Sequence, residues 1–204
     1  MGFYQKHVLP FCLNKACGVK PISKQRQKIV PLASGRVLEI GIGSGLNLPH
    51  YNAENVTEII GVDPDDHIWK RSKTMREACP IPVRRIGLSG EQIPMDDNTV
   101  DSVVVTYALC TIPDPVRALR EMARILKPGG AIYFSEHGMA PDVSVQKWQG
   151  RIDPLWKKLA GGCHSGRDIP DLFQAAGIGF EQLEQMYIPG PKVLSYNYWG
   201  IARP

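Results

Sequence analysis

Glu39-Ile40-Gly41-Ile42-Gly43-Ser44-Gly45 is the segment of this 204-residue chain whose residue types and spacing most clearly imply chemistry. Glycine has no Cβ, so three alternating glycines let the backbone turn tightly and come close to a ligand. An acidic residue, Asp63, follows eighteen positions after Gly45. In a nucleotide-binding β-α-β unit, a carboxylate there accepts hydrogen bonds from two ribose hydroxyls. A glycine loop by itself also fits a nicotinamide oxidoreductase, but the dinucleotide fingerprint is G-x-G-x-x-G, with a helix N-terminus facing a pyrophosphate. Here the order is G-x-G-x-G, and Glu39 precedes it inside the strand. That arrangement suits a ligand with no phosphates and a cationic amine.

Such a loop needs strands to carry it. Arg36–Ile40 and Glu58–Val62 read as buried strands, the first running into the glycines and the second ending at Asp63. Pro64–Ala78 has helical period, with Ile68, Met75 and Ala78 on one face and Lys70, Arg71, Lys73 and Arg76 largely on the other. Pro82–Ile86 and the β-branched Asp101–Thr106 are further strands. Asp114–Leu126 is an amphipathic helix stopped by Lys127-Pro128-Gly129-Gly130, and Ala131–Ser135 is a fifth strand opening into Glu136-His137-Gly138. A tryptophan-bearing helix, a Gly161-Gly162 break, a helix near Ile169–Ala176 and two strand-like runs complete the chain. Strands alternating with helices indicate an α/β domain around a mostly parallel sheet.

Length and composition agree with one domain plus extra chain, since about 150 residues is typical of a domain. With 43% hydrophobic and 22% charged residues the chain buries a core, which excludes collagen-like, coiled-coil and low-complexity classes. The longest uncharged stretch near the centre is Ser102–Pro113, too short to span a bilayer. Pro10, Asn14 and Lys15 interrupt any signal-peptide run, so a cytoplasmic address is expected. The five cysteines form no C-x-x-C pair and read as reduced thiols; no His, Cys and carboxylate cluster has ligand spacing, so no metal is expected.

Charge is distributed unevenly. Seven of the 24 Lys and Arg precede Glu39 and none of the 20 Asp and Glu does, so the rest of the chain carries a net −3. Phe3, Tyr4, Val8, Leu9, Phe11 and Leu13 make the same stretch apolar. Residues 1–35 therefore read either as a helical lid with solvated lysines or as peripheral contact with an anionic membrane surface. No nucleic-acid-binding signature follows.

From Arg36 to about Gly138 the chain resembles the class I S-adenosylmethionine-dependent methyltransferases, in the small-molecule branch called methyltransferase type 11. Five motifs recur in order: E-I-G-I-G-S-G, Val62-Asp63-Pro64, S-G-E-Q-I-P from Ser89, D-D-N-T-V-D from Asp96 and L-K-P-G-G from Leu126. The resemblance implies a Rossmann-like, doubly wound, mostly parallel seven-stranded sheet with helices on both faces, occupying 36–204 and carrying a helical insert near 143–167. It implies S-adenosylmethionine as cofactor and S-adenosylhomocysteine as product. Gly41, Gly43 and Gly45 would wrap the methionine part, with Glu39 near its amine and Asn47 and Thr106 beside them. Asp63 would take the ribose, Pro64 the adenine edge, and Ser89-Gly90-Glu91 would cover the ring. Ser89 departs from the Asp often found at its position, which removes one contact to the adenine amine.

Methyl transfer is an in-line displacement that mainly requires the nucleophile to sit about 3–3.5 Å from the methyl group with water excluded. A thiol of pKa ~8.5 is also helped by a base. Candidates lie at the carboxyl ends of the central strands: Thr106, Tyr107 and Cys110 after the fourth, Glu136 and His137 after the fifth. His137 is the expected base or orienting group, Glu136 its partner or a cap on the next loop, and Tyr107 a wall of the cofactor site. Cys110 reads as a small buried residue. The stretch Trp148–Arg167, with Trp156 and His164, is expected to roof a small-molecule acceptor. F-S-E-H-G, D-P-L-W, G-G-C-H and Y-N-Y-W-G-I-A narrow the resemblance to the branch of the mammalian alkyl-thiol methyltransferases, which methylate small lipophilic thiols at sulfur. Those relatives carry an apolar anchoring N-terminus, whereas the stretch before Glu39 here is basic and patchily apolar. A fairly apolar acceptor with a thiol sulfur is the leading expectation. A phospholipid amine or a quinone-type hydroxyl or ring carbon is the enzyme alternative, and a non-catalytic cofactor-binding sensor or partner subunit the alternative from another class.

Overall fold

Seven strands hydrogen-bond into one sheet in the order β3-β2-β1-β4-β5-β7-β6. The computed structural model describes residues 9–204; Phe3, Tyr4, Lys6 and Val8 of the basic N-terminal stretch lie outside the described residues. The strands are β1 Gly35–Ile40, β2 Val56–Val62, β3 Val83–Ile86, β4 Val100–Thr106, β5 Leu126–His137, β6 Gly179–Tyr187 and β7 Tyr196–Arg203. The first five are parallel, and β7 runs antiparallel to both β5 and β6. The helices are α1 Leu9–Cys17, α2 Lys20–Ile29, α3 Asp66–Arg71, α4 Lys73–Ala78, α5 Pro115–Ile125, α6 Val143–Leu159, α7 Ile169–Ala176 and α8 Lys192–Ser195. The expected doubly wound sheet is therefore present.

Both faces of the sheet are covered, and the pleat shows how. Leu38, Ile40, Ile60, Val62, Val103 and Val105 pack in one cluster with Leu119, Met122 and Ile125 of α5 and Ile169 and Phe173 of α7. Their alternates Val37, Ile59 and Val104 pack on the other side with Val30, Leu48 and Tyr51. Successive side chains of a strand point to opposite faces, so apolar residues at consecutive positions, as in Val103-Val104-Val105, are the mark of a strand buried twice. The chain leaves β1 for β2 and β3 on one side and returns to β4 on the other, which opens a crevice between the carboxyl ends of β1 and β4.

Several sequence expectations are corrected. The single helix over Pro64–Ala78 is two short ones, α3 and α4. The Ser72 hydroxyl donates to the Trp69 carbonyl at 2.7 Å and competes with helical bonding between them. Neither helix buries a residue, and Met75 is exposed, so the expected apolar face is not core. α5 ends at Ile125, and Lys127-Pro128-Gly129-Gly130 already lies in the extended stretch of β5. β5 also runs further than Ser135: Glu136 and His137 pair with Tyr198 and Asn197 of β7, so both are strand residues. Among the described residues no helix is long and apolar enough to cross a membrane.

Candidate functional site

The β1 strand delivers the chain into the crevice at Gly41, where φ is +71° and a Cβ would stand 2.6 Å from that of Ala108. No other residue type fits such a left-handed, close approach without strain. Gly43 and Gly45 also have positive φ. Asp63, at the end of β2, fixes this loop: its Oδ2 accepts from the Gly43 N–H at 3.0 Å and its Oδ1 from the Asp65 N–H at 2.8 Å. A carboxylate offers about four lone-pair sites, so two remain for a ligand's hydroxyls. Burial raises the Asp63 pKa, opposed by those two N–H bonds.

Glu39 lies beneath the loop and is almost wholly buried. Its Oε1 accepts from Asn47 Nδ2 at 3.0 Å and its Oε2 from the Tyr51 hydroxyl at 2.8 Å. Desolvation pushes its pKa up to about 7, against the pull of those two bonds. The Asn47 amide nitrogen also reaches Thr106 Oγ1 at 3.0 Å, and its oxygen accepts from Arg26 Nε at 2.9 Å. Arg26 belongs to the basic stretch that precedes Glu39. It is buried, donates to the Cys17 carbonyl at 2.9 Å, and holds its guanidinium 4.9 Å from the Tyr107 ring centroid. Asn14 of α1 accepts from Ser44 Oγ at 2.6 Å. The N-terminal helices thus touch the glycine loop directly.

The remaining expected cofactor contacts surround the same crevice. Pro64 follows Asp63 on the surface. Ser89 Oγ donates to Glu91 Oε2 at 2.7 Å, while Glu91 Oε1 accepts from the Asp114 N–H at 2.6 Å and closes that loop on α5. Gly90 is buried, and a Cβ there would lie 3.2 Å from Ile40 Cγ2.

On the far side of Tyr107 the fold assembles a second group. Tyr107 has φ +52°, donates from its hydroxyl to Asn197 Oδ1 at 2.6 Å, and stacks on the His137 ring at 6.4 Å between centroids. His137 Nε2 lies 3.3 Å from Cys163 Sγ. Glu136, expected as the partner of His137 or as a cap on the next loop, accepts at Oε1 from the Ala108 N–H (2.8 Å) and the Leu109 N–H (3.1 Å) and so caps the loop that follows β4. Its burial raises the pKa to about 7 despite those bonds. Cys110 Sγ, Cys163 Sγ and a His137 ring nitrogen all lie within 4.8 Å of one another. No ligand spacing links these three positions in the sequence; the fold alone brings them together. Cys163 is held above the usual thiol range by the Cys110 thiol beside it and by burial, with His137 opposing.

Of the residues expected to roof the acceptor, Trp156 packs against Cys110, Ala160 and Cys163. His164 and Arg167 line a cavity of about 300 Å³ with Gln149 and Asp153. His164 Nδ1 pairs with Asp153 at 2.8 Å, and Arg167 donates to the Leu109 and Ile112 carbonyls. Trp148 does not join them: it is 56% exposed, beside Arg151 on the outer side of α6. Sequence reasoning gave no site role to Arg26, Tyr51, Asn197 or Cys163, although Asn197 and Cys163 lie in the Y-N-Y-W-G-I-A and G-G-C-H runs; their partners come from other segments of the chain.

Known proteins are similar to this chain in sequence and in fold. A family model described as a methyltransferase domain matches residues 38–134. Thiol S-methyltransferase TMT1A of Homo sapiens is 34% identical over 82% of this chain and 67% of its own length. A phosphatidylethanolamine N-methyltransferase of Cereibacter sphaeroides is 30% identical over 58% of this chain and 60% of its own. A solved S-adenosylmethionine-dependent methyltransferase of Leishmania major superposes with a TM-score of 0.71 at 18% identity, covering 98% of this chain and 80% of that one. The chain spans 62% of the length of thiol S-methyltransferase TMT1B of Rattus norvegicus and 67% of that of TMT1A, so the likeness does not extend over the whole of either. The glycine cradle, the half-free Asp63 carboxylate and the acidic strand end fit a ribose and a cationic amine, and the cofactor is S-adenosylmethionine. With that site and these relatives, the chain belongs to the class I S-adenosylmethionine-dependent methyltransferases.

Proposed function

We propose that this protein methylates the sulfur of a small, fairly apolar thiol. The observation that carries the reading is the 34% identity to a thiol S-methyltransferase over 82% of the chain, which reaches well beyond the 38–134 core common to many methyltransferases. When bound, S-adenosylmethionine supplies an electrophilic methyl group on a sulfonium. Gly41, Gly43 and Gly45 admit its methionine part, Asn47 and Thr106 line that end, and Glu39 provides the negative field for its amine. Asp63 holds the ribose, with Pro64 and Ser89-Gly90-Glu91 against the adenine. Helices α1 and α2 act as the lid, held through Arg26, and exclude water.

Tyr107 separates this half from the acceptor half. His137 takes the thiol proton or orients the sulfur; burial lowers its pKa, but the Cys163 bond and the nearby charges outweigh that and raise it. Glu136 acts through the backbone of Ala108 and Leu109, as a positioning residue. Trp156 supplies an apolar wall, and His164 and Arg167 hold the outer loop.

The likeness to a phosphatidylethanolamine N-methyltransferase, with the basic residues before Glu39, favours a second reading in which the acceptor is a lipid amine at an anionic membrane surface. The test is S-adenosylhomocysteine formation against alkyl and aryl thiols, phosphatidylethanolamine vesicles and quinols. Turnover of soluble thiols without lipid supports the first reading. Turnover confined to vesicles replaces it with the second.

A further inference from the structure

We propose that Cys110, His137 and Cys163 form a binding site for one thiophilic metal ion of the zinc class, and that its open fourth position takes the acceptor thiol as a thiolate. The second half rests on the thiol reading above; the first does not. Two sulfurs and one imidazole nitrogen are a donor set that selects soft or borderline cations. Tetrahedral zinc holds sulfur at ~2.3 Å and nitrogen at ~2.0–2.1 Å, so its ligand atoms stand roughly 3.4–3.8 Å apart. Cys163 Sγ and His137 Nε2 are 3.3 Å apart, and the three donors lie within 4.8 Å of one another.

The surroundings hold the donors in place. The His164 N–H donates to the Cys110 carbonyl at 2.9 Å and ties the Cys163 turn to the loop after β4. His137 is fixed in register in β5 opposite Asn197, and Trp156 packs on both cysteines. The other ring nitrogen, His137 Nδ1, is buried with no partner among the described residues, so the ring is held by its place in β5 and its stacking on Tyr107 and not by a hydrogen bond at Nδ1. A disulfide would use the two cysteines and leave the imidazole idle; a metal uses all three.

Three protein ligands with one open position is the pattern of a reactive zinc centre. On loading, each cysteine yields its proton to solvent and a lone pair to the ion. An acceptor thiol entering the fourth position does the same and becomes a thiolate at neutral pH. Its sulfur then forms the new bond to the methyl carbon as the sulfonium C–S bond breaks, leaving two neutral thioethers. The cluster lies at the carboxyl ends of β4 and β5, where Ala108 closes on Gly41, so the acceptor would enter beside the cofactor's methionine end.

The experiment uses the full chain, stripped with a chelator under reducing conditions and titrated with Co²⁺ and Zn²⁺. The expected result is one equivalent of Co²⁺ with a sulfur-to-cobalt charge-transfer band in the near ultraviolet, displaced by Zn²⁺. Cys163→Ser should weaken zinc binding at least ~100-fold while a cofactor-induced thermal shift shows the fold intact, and Cys79→Ser should change nothing. A small alkyl thiol added to the cobalt form should move the band. Absence of a stoichiometric band, or its survival in Cys163→Ser, overturns the site. A band that no thiol perturbs overturns the acceptor position. Thiol turnover by metal-free protein would overturn the acceptor position while leaving the thiol reading intact; metal bound with no thiol turned over would overturn the thiol reading and the acceptor position together and leave the metal site standing.

Discussion

Glu39 and Asp63 carry opposite lessons about a buried carboxylate. Asp63 is held by two backbone N–H groups with capacity to spare, whereas Glu39 has both oxygens engaged and is pushed up to about 7 by desolvation. A cation above the glycine loop favours the ionised form of Glu39. Below pH ~7 binding must therefore expel a proton, and cofactor affinity should rise with pH through ~7 and level off above it. Calorimetry in buffers of different ionisation enthalpy should register proton release near pH ~6 and little near pH ~8, and Glu39→Gln should remove the difference. Equal proton release at both values would separate Glu39 from the bound amine. Charge-assisted hydrogen bonds contribute ~1.5–3 kcal/mol each, so Asp63→Ala should weaken S-adenosylhomocysteine binding by about 100-fold or more. Unchanged affinity in equilibrium dialysis would remove Asp63 from the ribose site.

At the scale of elements, α2 is the piece whose contacts reach furthest. Arg26 joins α1 through the Cys17 carbonyl, the glycine loop through Asn47 and the β4 end through the Tyr107 face. Its five N–H donors and planar head make three different contacts at once, which an ammonium cannot reproduce. Arg26→Ala should speed cofactor dissociation roughly 10-fold in stopped-flow measurements. It should also expose the α1–α2 junction at Gly18 to limited proteolysis in the cofactor-bound protein. Arg26→Lys should recover little of either. Normal dissociation together with normal protection would mean that the two helices do not close the site.

The whole molecule couples these groups through pH. Glu39 and Glu136 are both raised to about 7, well above the ~4.3 of an unfolded glutamate. The folded state then binds more protons than the unfolded one between those values. Their contribution to stability is fully present below ~4.3 and is lost as pH rises through ~7. The cofactor-free protein should accordingly melt at a lower temperature near pH ~8 than near pH ~6. A ligand at ~100 times its Kd adds ~2.7 kcal/mol, which for a chain of this size is about 5–10 °C in Tm. S-adenosylhomocysteine should give that increase near pH ~8 and a smaller one near pH ~6. A larger shift at the lower pH would reverse the sign assigned to Glu39.

The sheet, helices such as α5 and α7, and the cofactor were legible in the sequence because their causes are local. Val103-Val104-Val105 declares a strand buried on both faces, Asp114-Pro115 caps a helix, and Gly41 is needed where φ is positive. Each follows from the preferences of one residue or the period of a few. The extra length of β5 was not legible, because Glu136 and His137 become strand residues only when Tyr198 and Asn197 arrive beside them from the far end of the chain. The same holds for Arg26, an ordinary basic residue in the sequence and a buried fork in the fold. It holds too for Cys110, His137 and Cys163, which lie far apart in the chain and meet because β4, β5 and the turn after α6 end at one point. Backbone conformation and hydropathy are written residue by residue, so the sequence by itself determined the architecture and the cofactor. Which distant side chains share a cavity depends on how the elements pack, and only the tertiary structure decided what surrounds the acceptor.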